Sequence, residues 1–232
     1  MNLISMVKLS HVSSIPGMTP EQSVLHYARV SNPEDPGPSQ VLDVARDKKL
    51  LNYLIKHKHW SPFEMVSMCL EIHTTRDISR QMLRHRSFSF QEFSTRYSTN
   101  LESGDPYYSA PRFQDLNNRQ NSIHLTDNSP DDQKLMDEWY RKQIEVNQVS
   151  SRAYKWALDR GLAKEVARGV LPEGQTKTRL FMHGTLRSWM HYVDIRASPE
   201  TQYEHRKIAE EVKAIIYSDE VMPNAWTSSS VG

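Results

Sequence analysis

The sequence predicts an α/β chain, and three observations carry that expectation. Residues 64–74 alternate: Val66, Met68, Leu70 and Ile72 interleave with Ser67, Cys69, Glu71 and His73, as in a half-buried strand. Residues 131–157 place Trp139, Tyr140, Ile144, Val149 and Ala153 among polar residues, as in a long helix. Helical and strand-like segments then both recur along the 232 residues. That length suits one large domain or two small ones, and no linker or internal repeat stands out.

The N-terminal dozen residues read as an edge strand. Thr19-Pro20 with Glu21 and Gln22 marks a helix start, threonine as cap and proline in the first turn. Residues 32–40 hold three prolines and a glycine and read as a loop. From Val41 to about Lys58, Val44, Leu50, Leu51, Leu54 and Ile55 predict an amphipathic helix. Ser61-Pro62 interrupts before the 64–74 strand. Asp77 to Arg86 returns to a helical period, which puts the arginine–histidine cluster at a helix end. The aromatic and serine-rich SFSFQEFS segment carries no clear period. Residues 99–130 read as mainly irregular, a functional loop or flap at that length. After the long helix come a short helix over 161–169, a strand over 178–183, and helices over 185–196 and 200–217. We expect one domain over residues 1–218 and a tail over 219–232, frayed at its end.

Charge and cysteine content narrow the function. The net charge is +1, so no general nucleic-acid binder is expected. The single cysteine, Cys69, excludes an internal disulfide framework and a multi-cysteine metal site, and no metal is expected. Its apolar surroundings read as those of a structural thiol. No signal peptide and no run of 18 apolar residues is visible, so a cytosolic protein without membrane contact is expected.

Against that neutral background, RHRSFSFQEFSTR concentrates Arg84, His85, Arg86 and Arg96 with one acid, Glu92. A solvated face mixes its signs. This excess points to an anion site, and Ser94 with Arg96 offers a hydroxyl and a guanidinium fork to a phosphate. Gln81 and Arg84, three apart, share a helix face. Arg187, His191 and Arg196 form a second constellation. By themselves they read equally as ordinary ion pairs on an amphipathic helix. Arg168 either joins the site or complements a helix C-terminus. His59 to Glu64 holds a histidine, a hydroxyl and an acid, but no G-x-S-x-G elbow accompanies them, and a helix-to-strand turn is the simpler reading. Neither G-x-G-x-x-G nor G-x-x-x-x-G-K-[ST] occurs, which argues against an ordinary Rossmann or P-loop site.

These motifs together resemble the flavin-dependent thymidylate synthase family. The family signature is R-H-R, seven residues, S, and usually R two further on; Arg84-His85-Arg86, Ser94 and Arg96 match it. Ala28-Arg29-Val30-Ser31, His59 to Glu64, Arg168 before Leu171-Pro172, and LRSWMHYVDIRA resemble its other motifs in the same order.

The resemblance implies an α/β fold with a central, mainly antiparallel sheet and long helices. It implies reductive methylation of dUMP to dTMP, with methylenetetrahydrofolate as one-carbon donor, NADPH as reductant, FAD as hydride carrier and no cysteine nucleophile. It also implies a homotetramer with sites shared between subunits, in the cytoplasm (the host's, for a viral protein). Gln81, Met82, Leu83 and Arg84 would bind dUMP, followed by Glu92, Phe93, Ser94, Thr95 and Arg96, with Arg168 and Arg196. Ser94 and Arg96 would sit near the phosphate. Arg196 is the expected catalytic residue, placed against the pyrimidine. FAD would meet Ser31, His59 and Ser61, then Arg84, His85, Arg86 and Glu92, and finally Thr185, Leu186, Arg187 and His191. Tyr97 would border the nucleotide pocket. Threonine at 185, where the family often has asparagine, keeps a hydroxyl but lacks the amide fork.

Overall fold

The computed structural model describes residues 6–30, 44–96, 106–125 and 129–225. The expected loop over 32–40, Ser31 and Tyr97 lie outside the described residues.

Period-two patterning builds the centre of the molecule. Strand β2 (Ser67–Thr75) buries Met68, Leu70 and Ile72 on one face and leaves Ser67, Cys69, Glu71 and His73 half-buried on the other. It pairs antiparallel with β1 (Met6–Val12) on one side and with β6 (Lys177–Thr185) on the other. Strand β3 (Ser89–Glu92) closes the sheet antiparallel to β6, giving the order β1-β2-β6-β3. A separate hairpin pairs β4 (Arg112–Gln114) with β5 (Ser122–His124).

Helices cover the apolar face of the sheet. α1 (Pro20–Ala28) starts on a capping box, Thr19 Oγ1 accepting from the Gln22 N–H and Gln22 Oε1 from the Thr19 N–H. It is followed by α2 (Val44–Lys56), the short α3 (Ser61–Glu64) and α4 (Arg76–Met82). α7 (Leu186–Arg196) presses Trp189 and Tyr192 into the core, and α8 (Tyr203–Ile216) adds Ile208, Val212 and Ile216. Among the described residues no helix is long and apolar enough to cross a membrane.

Several boundaries differ from expectation. The strand starts at Ser67 because Ser61–Glu64 folds as a helical turn, with Pro62 and Phe63 buried beneath it. Segment 161–169 splits into α6 (Lys164–Ala167) and a 3-10 turn over Arg168–Val170. The expected tail begins too early. Val221, Met222 and Ala225 belong to the core, and Asn224 donates through its backbone N–H and its Nδ2 to Glu21 at 2.8 Å each.

The long helix α5 (Pro130–Asp159) spans about 45 Å. Its burial follows its apolar residues only in part. Gln143 and Ser150 are buried along with Tyr154 and Ala157, while Leu135, Trp139, Val146, Val149 and Trp156 are exposed. Gln143 is held by Ser109, whose N–H donates to Oε1 at 2.8 Å and whose carbonyl accepts from Nε2 at 3.0 Å.

Candidate active site

Helix α4 ends at Met82, with Leu83 as its C-cap, so Arg84-His85-Arg86 lies in the turn that leads to β3. The turn leaves Arg84 and Arg86 exposed and turns His85 inward. The His85 ring stands edge-on to Tyr192, 5.1 Å between centroids, with Phe88 6.3 Å away. Phe88 lies directly over Gly184: a Cβ built there would sit 2.5 Å from the Phe88 ring, so the glycine lets the turn approach β6.

The two constellations meet within one chain. Arg196, the last residue of α7, donates its Nε–H to His85 Nε2 at 2.9 Å. Sharing between subunits is therefore not needed to bring them together. The accepting Nε2 carries no proton, so His85 is a neutral ring protonated on Nδ1. Burial, then the charges of Arg196, His191 and Arg84, pushes its pKa down to about 4.

Behind this contact His205 is fully buried. Its Nε2 lies 3.0 Å from the Tyr192 hydroxyl and its Nδ1 3.2 Å from Gln81 Oε1. Burial, then Arg196 and His85, pushes its pKa down to about 3. Both histidines have native values below the ordinary 6.5. Between that value and about 4 the unfolded chain binds more protons at these two sites, so stability rises with pH there. We expect the melting temperature to be level above pH 7 and to fall as pH drops from 6.5 toward 5. A melting temperature unchanged between pH 7 and pH 5 would contradict this.

Glu92, at the end of β3, accepts at Oε1 from Ser79 Oγ at 2.7 Å and from Thr178 Oγ1 at 2.9 Å. Both bonds fall on the one oxygen. In the following turn Ser94 Oγ accepts from the Arg96 N–H at 3.3 Å, while the Arg96 guanidinium reaches Glu165 at 3.1 Å. Arg168 donates to Thr95 Oγ1 at 3.3 Å. That contact opens a cavity of about 340 Å³ lined by Arg76, Arg80, Thr95, Arg168, Glu165 and Glu173. Arg80 pairs with Glu173 at 3.1 Å. Arg76 and Arg80, four apart on α4, were not singled out in the sequence; their helical spacing beside the signature is the signal that points to them.

At the other end of α7, Thr185 is the helix cap. Its Oγ1 accepts from the Ser188 N–H at 3.2 Å and donates to Glu64 Oε2 at 2.7 Å. The Arg187 Nε lies 3.6 Å from the other Glu64 oxygen. Glu64 thus ties the Ser61 turn to α7. His59, Ser61 and His191 are exposed.

Three of the expected contact residues have buried side chains. Met82 and Leu186 are fully buried in the core, so only their backbone can face a ligand. Thr95 is also buried, and its hydroxyl positions Arg168. Cys69 is half-buried on β2, and burial raises its thiol pKa, which disfavours the thiolate a nucleophile needs.

Residues 15–224 match the family model described as thymidylate synthase complementing protein. The chain is 43% identical over 201 residues to a probable flavin-dependent thymidylate synthase of Paramecium bursaria Chlorella virus 1, covering 87% of each. It is 45% identical over 207 residues to the flavin-dependent thymidylate synthase of Synechocystis sp., covering 89% of this chain and 88% of that one. The fold is similar to that of the UMP/dUMP methylase PolB of Streptomyces cacaoi, solved bound with 5-Br dUMP. The TM-score is 0.77 at 27% identity, over 95% of this chain and 92% of that chain.

Proposed function

The chain belongs to the flavin-dependent thymidylate synthase family, and from that premise we propose how its residues divide the conversion of dUMP to dTMP. The observation that carries the reading is the 2.9 Å contact between Arg196 and His85, which joins the C-terminal motif to the R-H-R signature.

The nucleotide occupies the ground between β3, the 94–96 turn and the C-terminal end of α7. Ser94, Arg96 and Arg168 hold its phosphate, where the adjoining cavity adds the charges of Arg76 and Arg80. Gln81, Arg84 and the second oxygen of Glu92 address the nucleoside, with Leu83, Phe93 and the backbone of Met82 beside them. Arg196 faces the pyrimidine. A guanidinium there stabilises negative charge as it develops on the ring, and its Nε–H is already oriented by His85. A neutral His85 suits this role, because an imidazolium would repel the guanidinium it orients.

The residues fit an anionic, aromatic cofactor. Arg84, Arg86 and His191 are exposed and Arg187 is partly so, and α7 carries Arg187 and Arg196 about 14 Å apart along its axis. Arg84, Arg86, Arg187 and His191 would hold FAD, with His59, Ser61, His85, Glu92, Thr185 and the Leu186 backbone along its border. Bound FAD would supply hydride-transfer chemistry, with NADPH as its reductant and methylenetetrahydrofolate as the one-carbon donor. The protein sets the distance between dUMP and these groups.

We read the chain as one catalytic domain, supported by a core that runs from Val24 to Ala225. The exposed apolar face of α5, with Val146 and Val149 beside Val170, supports burial against other subunits in a homotetramer. The lone cysteine is in keeping with a reducing cytoplasm. Native mass tests the assembly: we expect four times the 27.0 kDa of one chain. A monomeric mass with dTMP formation intact would overturn the shared-site assignment.

A further inference from the structure

The donors and acceptors behind Gln81 admit one direction only. Gln202 Nε2 donates to Glu204 Oε2 at 3.1 Å, so its Oε1 is an acceptor. Gln81 Nε2 donates to that oxygen at 2.7 Å, so Gln81 Oε1 is an acceptor too. Across 3.2 Å from it, His205 Nδ1 must then carry the proton. With burial keeping the ring neutral, His205 Nε2 is bare and the Tyr192 hydroxyl donates to it at 3.0 Å. The chain runs Tyr192, His205, Gln81, Gln202, Glu204. It ends on a buried carboxylate that Arg112 meets at 2.6 Å.

We propose that His205 and Gln202, anchored by the Glu204–Arg112 pair, are positioning residues that fix the amide of Gln81 for dUMP. The proposal rests on the placement of Gln81 in the nucleotide site. Gln81 is left with one N–H and one carbonyl lone pair, both in a set orientation. An amide free to flip would offer either end to the nucleotide. Here a flip would set the Gln81 N–H against the His205 N–H and its oxygen against the Gln202 oxygen. The terminal carboxylate polarises the chain in the same direction, which makes Gln81 Oε1 a stronger acceptor. Gln202 reaches the proposed site through Gln81, so its effect on dUMP passes through that amide, whereas His205 also meets Tyr192, whose ring backs His85.

The test is calorimetric titration of dUMP into FAD-loaded protein. Losing one oriented hydrogen-bond partner of this kind is worth about tenfold in affinity. We expect His205→Leu to weaken dUMP by about that factor while FAD content stays unchanged. His205→Asn, whose amide can donate to Gln81, should recover dUMP affinity to within about threefold of the wild type. Gln202→Ala alters an exposed residue, so its folding is secure. It should weaken dUMP at least about threefold, and should weaken it by less than about twofold in a Gln81→Ala background. Unchanged affinity in Gln202→Ala, or the same loss with and without Gln81, overturns the proposal. So does a His205→Asn protein as weak as His205→Leu. Failure of the wild-type protein to bind dUMP would instead overturn the nucleotide site itself.

Discussion

Arg196→Ala is expected to lower the rate of dTMP formation by about 10²–10³-fold while leaving the fold intact. The size follows from what the guanidinium does. In the proposed site it faces the pyrimidine, where charge develops, and its orientation is set by the 2.9 Å bond to His85 before any substrate arrives. A donor already in place is not reorganised during the reaction, so its loss falls on turnover. The fold is spared because Arg196 is the last residue of α7 and only half-buried. There its charge contributes about 0.3–1 kcal/mol through the helix terminus. Arg196→Lys keeps the charge but loses the fork and the fixed Nε–H, so a large part of the loss should persist. Steady-state dTMP assays beside a thermal melt check both halves. Full activity in Arg196→Ala would refute the role.

Trp189→Ala is expected to be the most destabilising single truncation in the core, at about 3–5 kcal/mol. Trp189 is fully buried between sheet and helices and donates its Nε1–H to the Met68 carbonyl at 3.0 Å. Its ring lies 4.7 Å from Phe88 and 5.6 Å from Tyr192. Those two rings back His85, so the cavity opens behind the catalytic contact. Against a total stability of about 5–15 kcal/mol, the loss leaves a marginal protein. Trp189→Phe keeps most of the ring volume and should cost well under half as much. Urea unfolding midpoints for the two variants test this, and equal midpoints would show that packing at this position is not limiting.

What the sequence disclosed depended on how local the signal was. The helix start at Thr19-Pro20 is written within four residues, and the period-two run of β2 within nine, so both were legible. The R-H-R signature was legible because a local charge excess needs no partner to be seen. Strand β3 was obscure because the alternation of Phe88 and Phe90 with serines is short and breaks at Glu92-Phe93; the segment becomes a strand by pairing with β6. The face of α5 was also hidden. Its apolar residues mark a helix but do not reveal that Gln143 is buried against Ser109 while Val149 stays exposed. His205 carried no signal, because its contact with Gln81 joins residues 124 positions apart. Thr185, expected beside FAD without the amide fork, also has a local task as the cap of α7 and the hydroxyl that holds Glu64.

The central claim is that this chain makes dTMP through a flavin and an oriented arginine, with no thiol nucleophile. The most direct measurement supplies FAD-loaded wild-type and Cys69→Ala proteins with dUMP, methylenetetrahydrofolate and NADPH, and quantifies dTMP. The account predicts dTMP from both at comparable rates, and none when FAD is withheld. Absence of dTMP from the FAD-loaded wild-type protein, or its loss in Cys69→Ala alone, would contradict it.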